Sequence, residues 1–221
     1  MRLTRKLAAV VATTALVAGS VLATAPAANA AAAPTGGAQV VDALVAGYGD
    51  GSNGNPYDFQ ILTSAVIATD LVATVQSLNN VTIFAPNDRA FEVLANKLGL
   101  LGKGYRYGAT VDEEKIVAAL LTLPNAAETI KGIVLYHVYT RGALPGKAVV
   151  KLPVFGTKLT MANGQKLTVT NFSRFTRGAT VFLGDKDGVW WNDQVVRSKV
   201  DVIKVPGAVV HGISDVLLPK L

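Results

Sequence analysis

The pattern of apolar and polar positions is clearest on the two sides of Pro86. Residues 81–84 are all β-branched or aromatic, which is typical of a half-buried strand. Pro86 ends this strand because it has no N–H to donate to a sheet. Asn87 or Asp88 then caps a helix by accepting a backbone N–H. The apolar stripe of that helix consists of Phe91, Leu94 and Leu98. The pattern therefore predicts a strand that leads directly into an amphipathic helix.

Further helices are predicted from apolar spacing and from residues suited to helix starts. A short helix is predicted over residues 39–45, and Asp58 is predicted to cap a helix that continues to about residue 68. A capping box at residues 110–113 precedes another apolar run. A further helix is predicted to begin with Asn125 as its cap. One face of this last helix carries Ile130, Ile133, Val134 and His137.

The second half of the chain alternates between apolar and polar residues, which indicates β-structure. Residues 158–170 alternate around a central Asn-Gly dipeptide, a strong hairpin signal. A two-residue loop would set apolar side chains opposite polar ones. A loop of odd length, with Gly164 at a positive φ, instead aligns Leu159 with Leu167 or Val169. We therefore predict the bulged loop.

Three stretches of the chain resemble the signatures of one protein family. The first is T-I-F-A-P-N-D-R-A-F at residues 82–91, the second is the Tyr136-His137 pair, and the third is V-V-H-G-I-S-D-V-L-L-P at residues 209–219. Their order and spacing are similar to those of one copy of the fasciclin domain. This resemblance implies an α+β fold, in which a wedge of two β-sheets packs against a layer of α-helices.

The resemblance also suggests which residues to examine. The structural signature residues are Phe84, Pro86, Asp88, Phe91 and His211. In animal fasciclin domains the segment around the Tyr-His pair is linked to integrin contact and adhesion, so Tyr136 and His137 are candidate binding residues. The family has no single chemistry, and the resemblance therefore implies no reaction.

The two histidines are interpreted as core residues. His137 shares a helical face with apolar residues, so its imidazole should be mostly buried and should need a hydrogen-bond partner. Asp88, at the start of the signature helix, is the predicted partner. His211 alternates with Val209 and Ile213 on the closing strand and is interpreted as a satisfied core or near-core histidine. With two histidines and no cysteine, we expect no metal site and no cofactor.

The first thirty residues have the pattern of a secretory signal peptide. An apolar run follows Arg2, Arg5 and Lys6, and small residues precede the predicted cleavage after Ala30. The run is shorter than the roughly 20 residues that span a bilayer. We expect residues 31–37 to be disordered and residues 38–221 to form the fasciclin domain. The protein is therefore predicted to be bacterial, secreted and extracellular, with no membrane insertion after signal cleavage.

The charge of the chain narrows the class of partner. Of 21 basic residues, three lie in the signal, which leaves 18 basic and 15 acidic residues and a net charge of +3. This charge is too small to predict a nucleic-acid partner. Between Thr129 and Gly184 there are eight basic residues and no acidic one, including Lys158 and Lys166. An exposed face from this region favours an anionic polysaccharide. The alternative is that these lysines only solvate strand edges.

Two further features bear on function. Serine, aspartate and histidine all occur, yet the sequence contains no G-x-S-x-G nucleophile elbow, so we predict that the protein is not an enzyme. Adjacent strand residues point to opposite faces, and the resemblance to the family's strand at this place implies that Trp190 points outward. An exposed tryptophan on a sheet beside basic residues could stack on a sugar ring. The alternative is that a loop or the N-terminal segment covers it.

These observations together predict a monomeric, non-catalytic domain for adhesion or matrix binding. Its partner is expected to be a cell-surface or extracellular protein or glycan. The alternative is an exported enzyme or small-ligand carrier with a pocket near Asp88, His137 or His211. A deep pocket lined by these residues would favour the alternative, whereas a solid core and a basic outer face would favour adhesion.

Overall fold

The computed structural model describes most of the chain beyond its first segment. The described residues are 33–48, 52–154, 156–173, 180–185 and 193–220. Nearly all of them fall in one unit, Pro34–Leu221. The helices of this part are α1 (Gly36–Tyr48), α2 (Gln60–Ala68), α3 (Val72–Ser77), α4 (Asp88–Lys97), α5 (Glu113–Leu120), α6 (Ala126–Tyr136) and α7 (Gly146–Val149). The predicted signal peptide lies outside the described residues.

The signature strand is one of two central strands in the first sheet. Strand β1 (Val81–Pro86) ends at the proline, as predicted, and all six of its residues are buried. It pairs antiparallel with β2 (Val138–Tyr139) and parallel with β8 (Ala208–Ile213), which also pairs with β7 (Ile203–Val205). The order is β2-β1-β8-β7. Parallel central strands are covered on both faces, and this explains the nearly continuous apolar runs of the first and third signatures.

The second sheet is antiparallel and contains the predicted hairpin. Its order is β3 (Thr157–Thr160), β4 (Lys166–Asn171), β5 (Val181–Gly184) and β6 (Asp193–Gln194). Leu159 pairs with Leu167, and Gly164 has a φ of 83°. The bulged loop is therefore confirmed. A short 3-10 helix, Arg197–Lys199, follows β6.

Two apolar clusters fill the described structure, one on each side of the first sheet. Along β1, Ile83 and Ala85 belong to the cluster that packs against the helices, whereas Phe84 belongs to the cluster shared with the second sheet. This division follows from the period-2 alternation of side chains along a strand. The α+β architecture, with two sheets and a helical layer, agrees with the fold that the sequence predicts.

The first helix begins earlier than expected. Helix α1 includes Gly36 and Gly37, so the prediction of disorder through residue 37 is wrong for these two residues. Gly36 N–H donates to Asn79 Oδ1 over 3.3 Å, and Gly37 N–H donates to the Leu78 carbonyl over 2.9 Å. These bonds fix the start of α1 against the residues that follow α3.

The helix caps differ in part from the sequence prediction. Asn87 caps α4, since its Oδ1 accepts the Ala90 N–H over 2.9 Å. Asp112, rather than the predicted Thr110, caps α5 by accepting the Lys115 N–H. Asn125 adopts a left-handed conformation and makes no side-chain cap. A prediction is also wrong at α2: the Asp58 side chain makes no cap bond there, and the Ile61 N–H instead donates to Asp88 Oδ1 over 2.9 Å.

None of the described helices is long and apolar enough to cross a lipid bilayer.

Candidate functional site

The three sequence signatures meet where β1 and β8 pair. Phe84 lies opposite His211 in the parallel register, and their ring centroids are 6.1 Å apart. The Phe84 N–H donates to the His137 carbonyl over 2.9 Å. Phe84 and His211 are each 1% exposed, and His137 is 2% exposed. We call these three residues the signature centre. Because its side chains are buried, the signature centre offers no surface for direct contact with a partner.

His137 bonds to backbone groups and not to Asp88. Its Nδ1 lies 2.8 Å from the Ile133 carbonyl, and its Nε2 accepts the Leu217 N–H over 2.9 Å. The ring must therefore carry its proton on Nδ1 and donate to Ile133. The predicted Asp88–His137 hydrogen bond is wrong, since both ring nitrogens are occupied and Asp88 bonds to Ile61 instead. His137 joins the end of α6 to the segment that follows β8.

Both ring nitrogens of His211 also hydrogen-bond to backbone groups, but the nitrogen that donates is the other one. Its Nδ1 accepts the Asp201 N–H over 3.1 Å, and its Nε2 lies 2.8 Å from the Leu144 carbonyl. The proton is therefore on Nε2. The Asp201 carboxylate lies 3.5 Å from Nδ1. The interpretation of His211 as a satisfied core histidine agrees with this geometry.

Burial keeps both imidazoles neutral. Desolvation lowers the pKa of His137 to about 4, although its bond to the Ile133 carbonyl opposes the shift. Desolvation also lowers the pKa of His211, against the effects of Leu144 and Asp201. In the unfolded chain a histidine has a pKa of about 6.5. The stability that neutral His137 contributes is therefore fully present above about pH 6.5 and is lost as the pH falls towards 4, by at most about 1.4 kcal/mol per pH unit.

These assignments predict a specific NMR titration. Because the chain has only two histidines, nitrogen-15 imidazole spectra can resolve both rings. We expect His137 to be the Nδ1–H tautomer and His211 to be the Nε2–H tautomer at pH 7. Neither ring should titrate with a midpoint near 6.5. A His137 resonance that titrates with that midpoint, or two rings with the same tautomer, would contradict the hydrogen bonds described above.

Tyr136 is a buried connection between the helical layer and the second sheet. It is 0% exposed, and its hydroxyl donates to the Lys166 carbonyl over 3.1 Å. Burial raises the pKa of its phenol to about 12. The sequence suggests Tyr136 and His137 as binding residues. In the structure both side chains are buried, so neither is available to a surface ligand.

Asp88 belongs to a group of three buried carboxylates that the sequence analysis did not foresee. Asp58, Asp88 and Glu113 are 3%, 0% and 4% exposed, and one carboxylate oxygen from each lies within 4.8 Å of the others. Burial, reinforced by the hydrogen bond that protonated Asp88 can donate to the Asp58 side chain, raises the pKa of Asp88 above its usual range. We call this group the acidic cluster.

The acidic cluster is formed because neighbouring residues provide the helix caps. Asn87 caps α4 and Asp112 caps α5, and this leaves Asp88 and Glu113, one position later, to turn inward. An asparagine or aspartate cap followed directly by an acidic residue at each helix start is the sequence signal for this arrangement. That signal could not identify Asp58 as the third member, because the three positions are far apart in sequence.

The predicted basic binding residues lie on the second sheet. Lys158 pairs with Thr168 and Lys166 pairs with Thr160, so these four residues share one face of the β3–β4 hairpin. Both lysine side chains are exposed, whereas Leu159 and Leu167, on the opposite face, are buried. We call this lysine-bearing surface the outer face. Trp190, the other predicted binding residue of this region, lies outside the described residues.

A comparison with protein-family models identifies the family. The model of the fasciclin domain matches residues 57–219. This match covers well over half of the chain. The chain belongs to the fasciclin domain family.

Comparisons with solved structures and with curated proteins were also made. A solved FAS1 domain pair from the insect cell adhesion molecule Fasciclin I is similar at 16% identity and a TM-score of 0.48. The match covers 70% of this chain and 43% of that chain, so this fasciclin chain spans less than half of that length. No curated protein matches the sequence significantly.

The cavities described in this fasciclin domain are small and apolar. One, between α2, α4, α5 and α6, has a volume of about 30 Å³. Another, beside His211, offers about 10 Å³, which is no more than the space of one water molecule. Sites for small molecules usually have volumes of roughly 300–1,000 Å³. Neither cavity is the deep pocket that would favour an enzyme or a small-ligand carrier.

The loop between α4 and α5 presents aromatic residues on a different surface. The Tyr105 hydroxyl donates to the buried Glu92 carboxylate, and the Tyr105 ring packs edge-on against Tyr107 with centroids 5.9 Å apart. Arg89 lies over the Tyr107 ring at 5.8 Å, and Tyr107 is 48% exposed. Tyr105 therefore holds the loop in place, and Tyr107 is the exposed ring of this aromatic pair.

Proposed function

We propose that the mature protein is a secreted, non-catalytic adhesion or matrix-binding domain that holds an anionic extracellular polysaccharide on the outer face. The fasciclin domain family is associated with cell adhesion and occurs in extracellular or secreted proteins. The predicted signal peptide supports export. A cell-surface protein with clustered negative charge could bind to the same face, because it presents the same kind of charge.

The observation that carries the proposal is the pairing of two exposed lysines on one face. Lys158 and Lys166 occupy diagonal positions on adjacent strands, where Cβ atoms are separated by about 7–8 Å. Among the described residues neither lysine forms an ion pair, and the lysines that do so are Lys97 and Lys204. Two neighbouring ammonium groups suit a polymer with repeated carboxylate or sulfate groups.

The outer face also has apolar and hydroxyl groups suited to a sugar. Thr160 and Thr168 lie between the lysines, and Phe182 of β5 lies on the same face, opposite Thr170. The Phe182 ring is half-buried and packs edge-on against Phe172, with centroids 5.9 Å apart. Aromatic rings and hydroxyl groups beside a positive charge are the features expected of a surface that binds charged sugars. Stacking of a sugar on Trp190 remains a prediction from the sequence.

Salt dependence and charge reversal test this proposal. Mature protein should bind dextran sulfate but not neutral dextran in a pull-down or calorimetric titration. Binding should weaken between 0.1 and 1 M salt, because the Debye length falls from about 10 Å to about 3 Å. The double variant Lys158→Glu/Lys166→Glu should weaken binding at least about tenfold at low salt. Trp190→Ala should weaken binding at every salt concentration.

The control for this experiment is a charge reversal elsewhere on the domain. Lys103 lies on the exposed loop between α4 and α5, and its replacement by glutamate changes the net charge by the same amount as either outer-face replacement. Lys103→Glu alone should weaken binding less than about twofold. Glutamate on edge strand β3 still prevents edge-to-edge pairing, so loss of binding would not reflect aggregation. Equal effects of all reversals would show that only net charge matters, and the outer face would then be only a solvated surface.

A further inference from the structure

The acidic cluster joins three separate parts of the chain. Asp58 lies just before α2, Asp88 is the first residue of α4, and Glu113 is the first residue of α5. All three are almost completely buried, beneath a loop whose residues Ser52 and Asn53 are exposed. The loop that covers the cluster therefore lies at the protein surface.

Asp58 and Asp88 each use one oxygen, and Glu113 uses both of its oxygens, to hold the backbone or the loop. Asp58 Oδ2 accepts the Asn53 side-chain amide over 2.8 Å, and Asp88 Oδ1 accepts the Ile61 N–H over 2.9 Å. Glu113 Oε1 accepts the Gly54 N–H over 2.8 Å. Glu113 Oε2 accepts the Ser52 hydroxyl. These bonds fix the three carboxylates in position before any ligand is present.

When both aspartates are ionised, two oxygens of the cluster have no donor. These are Asp58 Oδ1 and Asp88 Oδ2, which are buried and accept no hydrogen bond among the described residues. No lysine or arginine compensates them, because none of the ion pairs among the described residues involves Asp58, Asp88 or Glu113. Buried carboxylates normally have a partner or coordinate a metal. The ionised cluster therefore has buried negative charge that no cationic side chain among the described residues balances.

We propose that the acidic cluster binds a calcium ion, with Asp58 Oδ1, Asp88 Oδ2 and a Glu113 oxygen as its protein ligands. One carboxylate oxygen from each residue lies within 4.8 Å of the others, and ligands that share a Ca²⁺ ion at 2.3–2.6 Å are separated by no more than about 5 Å. The ligands are all hard oxygens without histidine or cysteine, which favours calcium over zinc. Water supplies the remaining ligands from the side of the loop. Magnesium is less suited, since it needs near-ideal octahedral geometry and retains its waters.

The bound ion would fasten the helical layer. It would connect the loop before α2 to the first turns of α4 and α5, and calcium is expected at roughly 0.1–1 mM affinity in extracellular modules. This proposal does not depend on the outer face, because the ligands and the lysines lie on different elements. Failure of polysaccharide binding would leave it unaffected.

The test is a calcium titration of mature protein that has first been treated with EDTA and dialysed. Isothermal titration should show about one binding site, and 5 mM Ca²⁺ should raise the unfolding midpoint by at least about 3 °C. Mg²⁺ at the same concentration should have a smaller effect. Asp58→Asn and Glu113→Gln should each reduce the calcium response at least about fivefold. Glu114→Gln removes an exposed charge one residue away and should leave the response unchanged.

A proton held between Asp58 and Asp88 is the alternative to a bound ion. If Asp88 Oδ2 is protonated and donates to Asp58 Oδ1, calcium should not bind to the unmodified protein and its unfolding midpoint should not change. In that case Asp88→Asn, which retains a donor, should match or exceed the parent in stability at neutral pH. The titration of the unmodified protein decides between the two accounts even if a variant fails to fold. No calcium response in that titration would overturn the proposal.

Discussion

Replacement of His137 by alanine is expected to lower the free energy of unfolding by about 3–5 kcal/mol. The imidazole is 2% exposed and fills space between α6 and the segment after β8. Its removal leaves a cavity, and it leaves the buried Leu217 N–H without its 2.9 Å acceptor. The Ile133 carbonyl loses a donor as well. Urea denaturation at pH 7 measures the loss.

The matched control for His137 is the exposed residue Thr140. Thr140→Ala should change stability by no more than about 0.5 kcal/mol. The folded fraction of the His137→Ala variant should bind dextran sulfate as the parent does, because the signature centre lies inside the protein. A loss of stability below about 1 kcal/mol, or loss of binding by protein that is still folded, would contradict the structural role of His137.

Replacement of Gly37 by alanine is expected to lower the free energy of unfolding by about 1–3 kcal/mol. Alanine usually stabilises a helix relative to glycine by up to about 1 kcal/mol. At Gly37, however, an added Cβ would lie 1.9 Å from the Val75 carbonyl oxygen and 2.9 Å from that of Leu78. The start of α1 would have to move away from α3.

Gly47 in the same helix provides the control with the opposite sign. An added Cβ at Gly47 would meet nothing within 4 Å. Gly47→Ala should therefore leave stability unchanged or raise it by up to about 1 kcal/mol. Thermal unfolding of both variants measures the difference. If the two variants behave alike, α1 does not pack against α3 as described.

The sequence predicts local structure well where one short pattern determines it. Alternation and the Asn-Gly dipeptide predict the bulged hairpin that aligns Leu159 with Leu167. The asparagine after Pro86 predicts the cap that Asn87 makes to α4. In both cases the deciding interactions connect residues that are close in sequence, so the pattern contains the necessary information.

The sequence fails where distant residues compete for the same role. Asp58 is the residue type that caps helices, but Phe59 occupies the cap position of α2, and Asp88 accepts the Ile61 N–H from 27 positions away. His137 has the correct face to be buried, but its partners are backbone groups, one of them 80 positions away. Backbone donors and acceptors occur at every residue, so no pattern of side chains could identify these partners.

The candidate site also has a part that local sequence patterns predict and a part that depends on residues distant in sequence. The sequence places Lys158 and Lys166 near each other because a hairpin fixes their register. It does not predict the acidic cluster, since Asp58, Asp88 and Glu113 belong to three elements whose packing depends on the whole helical layer. The early start of α1 is missed for a similar reason, because the helix is fixed by contacts with residues 75–79 and not by its own sequence.

We propose that the outer face, and not the buried signature centre, is the binding surface. Lysine acetylation with and without dextran sulfate, read by mass spectrometry, tests this claim on the exposed lysines in one experiment. We predict that the polymer protects Lys158 and Lys166 at least about threefold, and that it leaves Lys103 and Lys115 unprotected. Protection of Lys103 and Lys115 without protection of the outer face would instead place the contact near the Tyr105–Tyr107 loop and would contradict the claim.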